Sequence, residues 1–145
     1  MATQKIDILD KSADFIAHMW ATAFWATNDE SSEDGGDPLG QNYGPDDLDD
    51  ESRARIEAQA LAFYLANRDL IHRKNSPLAQ ELEGSVMERQ AAQAGHDYWL
   101  TRSGYGAGFW DGDWPEPQAR VLTSASSADS EVCLYVGADG RIYAA

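Results

Sequence analysis

Three histidines, His18, His72 and His96, and one cysteine, Cys133, make up the imidazole and thiol chemistry of the chain. They are too scattered for a metal-ligand spacing such as two histidines one helical turn apart. His96-Asp97 has the composition of the dyad of metal phosphohydrolases, but that chemistry needs further His and Asp ligands on surrounding helices. This dyad instead sits beside a predicted strand, so His96 reads as a structural or surface residue. Cys133 lies in the apolar run Val132 to Val136 and reads as a small buried hydrophobe. A single cysteine excludes both an intrachain disulfide and a cysteine metal cluster.

The glycines of Gly104-Tyr105-Gly106-Ala107-Gly108 could free backbone amides for a phosphate. They stand between two predicted strands, without a P-loop lysine or a Rossmann pattern, and read as a turn. The acids from Asp29 to Asp37 do not follow the alternation of oxygen ligands, central glycine and terminal glutamate of a calcium loop, and Asp111-Gly112-Asp113 reads as a turn. With 25 acidic residues, carboxylate pairs suited to hydrolysis arise anywhere and single out nothing. No nucleophile elbow is present. The expectation is a protein with no catalytic residues, no metal and no cofactor, whose function is binding.

The candidate for that binding is charge. Twenty-five acids against 11 bases give a net charge of −14 and a pI near 4.3, spread over both halves of the chain. Asp29, Glu30, Glu33, Asp34, Asp37, Asp46, Asp47, Asp49, Asp50 and Glu51 follow one another with no Lys or Arg between them. Such a field repels nucleic acid and anionic membranes and speeds encounter with a positively charged protein. Carboxylates on a rigid element can also occupy a groove built for a phosphate backbone. The aromatics Tyr98, Trp99, Tyr105, Phe109, Trp110 and Trp114 read mostly as core, with Trp114, flanked by Asp113 and Pro115, expected at the surface as an interface anchor.

The elements that position these residues follow from periodicity. Phe15, Ile16, Met19, Trp20, Ala23 and Phe24 recur at spacings of three and four, predicting a helix over 12–27 with Ser12 as N-cap and Trp25 at the edge of its stripe. Gly35, Gly36, Pro38, Gly40 and Gly44 then mark a loop of about 17 residues, long enough to be functional. The acidic loop as a whole extends over about 28–50. A second helix starts between Asp47 and Asp50 and runs to about Arg73, with acids at its positive pole. Ser76-Pro77 restarts a third helix toward Ala94.

After Gly95, aromatic and β-branched residues predict a hairpin of 98–101 with 107–110, a short helix from Pro115 to about Ser127, and a second hairpin of 132–136 with 141–143 turning at Asp139-Gly140. The predicted fold is one α+β domain over residues 1–145: three main helices in the first two-thirds, then two hairpins forming a small antiparallel sheet around a short helix.

A hydrophobic content of 43% with five tryptophans is that of a chain that folds alone. No segment approaches the roughly 20 apolar residues that span a bilayer, and the first residues lack the basic-then-apolar pattern of a signal peptide. The expected location is the cytoplasm.

The stretch Ala94-Gly95-His96-Asp97-Tyr98-Trp99-Leu100-Thr101-Arg102, its continuation Gly106-Ala107-Gly108-Phe109-Trp110-Asp111, and the ending Leu134 to Tyr143 resemble a family of small proteins of tailed bacteriophages and prophages. The likeness covers about the last 50 residues. No activity is assigned to that family, so no functional residue carries over. The resemblance implies a phage accessory protein acting in a bacterial cell. By analogy with small acidic anti-CRISPR and anti-restriction inhibitors, it implies binding to a positively charged, nucleic-acid-handling host defence complex, with no direct nucleic-acid or membrane binding. The alternatives are a phage structural or replication accessory whose acidity serves solubility, and a hydrolase without a recognisable motif.

Overall fold

The stripe read near the start of the chain forms α1, Ser12–Ala26, in a computed structural model that describes residues 11–29, 36–72, 84–104, 107–110 and 114–145. α1 buries Phe15, Met19, Trp20, Ala23 and Phe24. Ser12 is not the cap expected of it: the N-cap is Lys11, which makes no side-chain cap bond and instead donates its backbone N–H to Tyr64 Oη at 3.0 Å. α2, Asp50–Ile71, begins within the expected window. The Asp49 carboxylate accepts the Ser52 N–H at 3.0 Å, and Asp50 and Glu51 complement the positive helix end. Between α1 and α2 the chain forms two short 3-10 turns, Leu39–Gln41 and Pro45–Asp47. The proposed restart at Ser76-Pro77 lies outside the described residues.

α3, Gly84–Arg102, overturns the first predicted hairpin and carries the third helix well past Ala94. Residues 98–101, read as a strand, form its last turns. Asp97 through Arg102 are all buried, and a helix covered on every side shows no amphipathic period to betray it. Gly95, read as a break, is instead where α1 crosses. A Cβ on Gly95 would overlap the Phe15 carbonyl oxygen, so the missing side chain permits backbone-to-backbone contact. The helix ends at Gly104, whose φ of 75° is the left-handed cap conformation. The chain then folds back: Phe109 donates its N–H to Thr101 Oγ1 at 3.1 Å.

The core is aromatic. Phe63 of α2 lies 4.5 Å from Tyr98 of α3 and 5.8 Å from Phe15 of α1, ring centroid to ring centroid, and Phe109 continues the cluster to Trp114 at 5.2 Å. Behind it Arg102 is buried, and its guanidinium bonds Tyr98 Oη, Gln59 Oε1 and the carbonyls of Asp129 and Ser130. Every one of those acceptors replaces water that burial removed. Burial also holds the Tyr98 hydroxyl well above the usual phenol range.

α4, Gln118–Ala128, matches the short helix expected after Pro115. β1, Leu134–Val136, and β2, Ile142–Ala144, form the expected C-terminal hairpin with Tyr135 opposite Tyr143. Gly140 sits at φ 81° in the turn, and Asp139 accepts the Arg141 N–H at 3.0 Å. Among the described residues the fold is therefore α+β with four helices and one two-stranded sheet. Cys133 is exposed, contrary to expectation: strand alternation sends Leu134 inward and leaves Cys133 and Tyr135 outside. The outer side of β2 docks on the start of α2, where Asp49 N–H reaches the Ile142 carbonyl at 2.8 Å and Ala144 N–H reaches Ser52 Oγ at 3.1 Å.

Candidate functional site

The acidic window divides into three parts. Glu30, Glu33 and Asp34 lie outside the described residues. The chain on either side of them is tied together: Asn28 bridges Pro38, Asp29 N–H donates to the Asp37 carbonyl at 2.7 Å, and Leu39 N–H donates to the Thr27 carbonyl at 2.8 Å. Asp29 is half-buried there and Asp37 is exposed. The remaining five acids do not lie along one helix. Asp46 and Asp47 belong to a 3-10 turn, Asp49 is the N-cap, and Asp50 and Glu51 open α2.

Two of those five are structural. Asp47 accepts the Gly44 N–H at 2.9 Å and Asp49 holds Ser52. The side chains of Asp46 and Asp50 are fully exposed, each 3.4 Å from one arginine, Arg53 and Arg141. Exposed pairs at that distance hold their partners weakly, so both carboxylates stay open to solvent and to exchange of partner. Glu51 is exposed as well. Asp46, Asp50 and Glu51 thus present their charge outward from a corner whose backbone is pinned by its neighbours.

Beside this corner runs an apolar groove that sequence reasoning did not foresee. Ala17, Trp20, Ala21, Phe24 and Trp25 of α1 form one wall, and Pro38, Gly40, Gln41, Tyr43, Gly44 and Pro45 the other, around about 590 Å³. Its width comes from what is missing: two alanines and two glycines contribute no bulk. Trp25, at the edge of its stripe as expected, is 64% exposed at the groove. Its ring rests 6.1 Å from that of His96. His96 is itself held, because Thr22 gives its only hydroxyl hydrogen to the His18 carbonyl at 2.8 Å. The 2.9 Å contact between Thr22 Oγ1 and His96 Nδ1 is then donated by the imidazole.

One chain of bonds ties groove to corner. Trp20, in the groove wall, donates its indole N–H to Glu57 Oε2 at 2.8 Å, and the same oxygen accepts from Arg53 Nε at 2.9 Å. Arg53 in turn donates to the Pro45 carbonyl at 3.2 Å and meets Asp46. The Glu57 hydrogen bond, ahead of the Asp46 contact, raises the Arg53 pKa. Arg53 is thus committed to shaping the turn.

Trp114 is not at the surface. It is 4% exposed, and its indole N–H donates to the buried Asp97 at 2.6 Å. Flanking Asp and Pro residues made it look exposed, and its partner is distant in sequence. Trp110 of the same segment is exposed. The histidines stay apart: His18 is exposed, His72 is buried between Tyr64 and Gln90, and His96 is half-buried. Among the described residues no group of three His, Cys, Asp or Glu side chains is placed to hold a metal ion, and no helix is long and apolar enough to cross a membrane.

Two more open depressions are about 560 Å³ between α2 and α4 and about 390 Å³ beside Trp110; among the described residues their ionisable groups are Asp129 in the first and Glu116 with Arg120 in the second. Among the described residues neither assembles an acid, a base and a nucleophile. Comparison of the chain with protein-family models, with curated proteins and with solved structures finds no match.

Proposed function

We propose that this chain is a non-enzymatic binding protein that docks on a positively charged, nucleic-acid-handling protein or complex through the acidic surface between Asp29 and Glu51. The observation that carries the reading is the corner at the start of α2, where Asp46 and Asp50 stand fully exposed on a backbone fixed by the caps of Asp47 and Asp49. Charges held on an ordered frame lose little conformational entropy on docking, whereas a disordered acidic tail loses much. The net charge of −14 adds long-range attraction to a basic partner. The resemblance of the last third of the chain to phage proteins supplies the setting: a bacterial host cell, and a defence complex of the CRISPR or restriction type as partner, inhibited by occupation of its nucleic-acid groove.

The test is affinity purification of the tagged protein from a phage-infected bacterial host. The recovered complex should weaken steeply with salt, and added duplex DNA should compete for the partner. Replacing Asp46, Asp50 and Glu51 together by Asn, Asn and Gln should abolish recovery. Undiminished recovery of the same partner by that variant would remove the acidic surface from the interface.

A further inference from the structure

We infer that the groove between α1 and residues 38–45 receives one large apolar side chain from an extended, Lys/Arg-flanked segment of the protein partner. The inference rests on the reading above that the acidic corner meets a basic protein surface, and it assigns to the groove the selection of which basic segment is bound. The space, about 590 Å³, falls in the range of built ligand pockets, which run from about 300 to 1,000 Å³. Its walls are mostly apolar: Pro38, Tyr43 and Pro45 offer ring and aliphatic surface, and Trp20 and Phe24, themselves buried, also line it. Trp25 stands 64% exposed against it, a large ring left in water and backed by His96.

Charge decides the occupant. Among the described residues no lysine or arginine lines the groove. Its wall of residues 38–45 is bracketed in sequence by Asp37 and Asp46, both exposed. Arg53, which reaches this wall, is occupied by Glu57, the Pro45 carbonyl and Asp46. An anionic ligand would be repelled there, and a neutral apolar one would leave the rim acids unused. A basic segment with an apolar anchor satisfies both, since its cations meet the rim and can also stack on the Trp25 face. A cation-only surface, such as a groove emptied of nucleic acid, would not fill the apolar space.

The test uses short synthetic peptides, matched in Lys and Arg content, whose central residue is Phe, Leu or Ser, titrated onto the full chain at low ionic strength. The Phe and Leu peptides should bind about tenfold tighter than the Ser peptide, the factor expected for burying one such side chain. Trp25→Ala, at an exposed position, should erase that preference. So should Gly40→Leu, which fills the groove where an added Cβ meets only ordinary contacts with Phe24 at 3.6 Å. Asp46→Asn with Asp50→Asn should weaken all peptides by a similar factor. Equal binding of the Phe and Ser peptides, or a preference that survives both groove variants, would overturn the inference and leave the acidic surface standing. No measurable binding of any basic peptide would instead overturn the acidic-surface reading itself.

Discussion

Trp114 donates its indole N–H to Asp97 at 2.6 Å in the interior, joining the segment before α4 to the buried half of α3. Trp114→Phe keeps an aromatic ring against Phe109 but takes the indole donor from a carboxylate that is 3% exposed and leaves part of the indole volume unfilled, which adds to the loss. A buried charged acceptor that loses a donor costs about 1–3 kcal/mol, so thermal melts should show a Tm lower by several degrees. Asp97→Asn, which still offers a side-chain oxygen to the indole, should cost less than Trp114→Phe. An unchanged Tm for Trp114→Phe would show that the bond adds nothing to stability.

Gly95 makes a second point about α3. Adding one methyl there should be destabilising, although alanine is the better helix former by about 1 kcal/mol. The obstacle is backbone: the new Cβ would overlap the Phe15 carbonyl oxygen and come within 3.0 Å of Met19 N, so α1 and α3 must separate. The expected net loss for Gly95→Ala is about 2 kcal/mol or more by urea unfolding. Gly44→Ala is the control, with nothing within 4 Å of the added atom, and should be neutral or slightly stabilising.

These two residues also show where sequence reading reaches its limit. α1, α2, α4 and the C-terminal hairpin were legible because each has one wet side, and polar residues on that side reveal the period. The end of α3 has none: from Asp97 to Arg102 apolar, polar and charged residues alike are buried, so aromatic and glycine content suggested strands. Gly95 looked like a break because its reason, the Phe15 backbone, is some 80 residues away. At the site, composition located the acids. Only geometry separates Asp47 and Asp49, which close backbone bonds, from Asp46 and Asp50, which do not. The groove is assembled from two segments and is opened by small residues, a pattern with no local signal. Cys133 is different: strict alternation from Leu134 places it outward.

His72 predicts a pH dependence. It is buried, with Nε2 2.7 Å from Tyr64 Oη and Nδ1 3.1 Å from Gln90 Oε1. Gln90 Oε1, an acceptor, faces Nδ1, so the neutral imidazole carries its hydrogen there and Nε2 accepts from the Tyr64 hydroxyl, whose oxygen also accepts the Lys11 N–H. Burial is the main cause that holds the His72 pKa below its ordinary value near 6.5. Arg68 and Lys11 add to the shift, while Gln90 and Asp69 oppose it. The unfolded chain therefore binds the proton more readily than the folded one, and stability is complete above about pH 6.5 and declines as the pH falls below it. Unfolding free energy measured from pH 8 down to about pH 5 should show a slope of up to about 1.4 kcal/mol per pH unit, and His72→Gln should flatten it. An equal slope in that variant would place the dependence elsewhere.

The acidic corner makes its own distinction testable without knowledge of the partner. Asp49→Ala removes the acceptor for Ser52 N–H and should cost about 1 kcal/mol, seen as a lower urea midpoint. Asp46→Asn and Asp50→Asn, at fully exposed side chains, should move that midpoint less than Asp49→Ala does: each relieves repulsion in a chain of net charge −14, which offsets the charge that Asp50→Asn takes from the positive end of α2. If the two groups behave alike, with Asp46→Asn as destabilising as Asp49→Ala, then the outward acids help to hold the fold, and a binding loss in their variant could not be read as a lost contact. If they separate as expected, the variant lacking charge at Asp46, Asp50 and Glu51 is a folded protein. Any change in its salt-dependent association then reports on the surface that meets the partner.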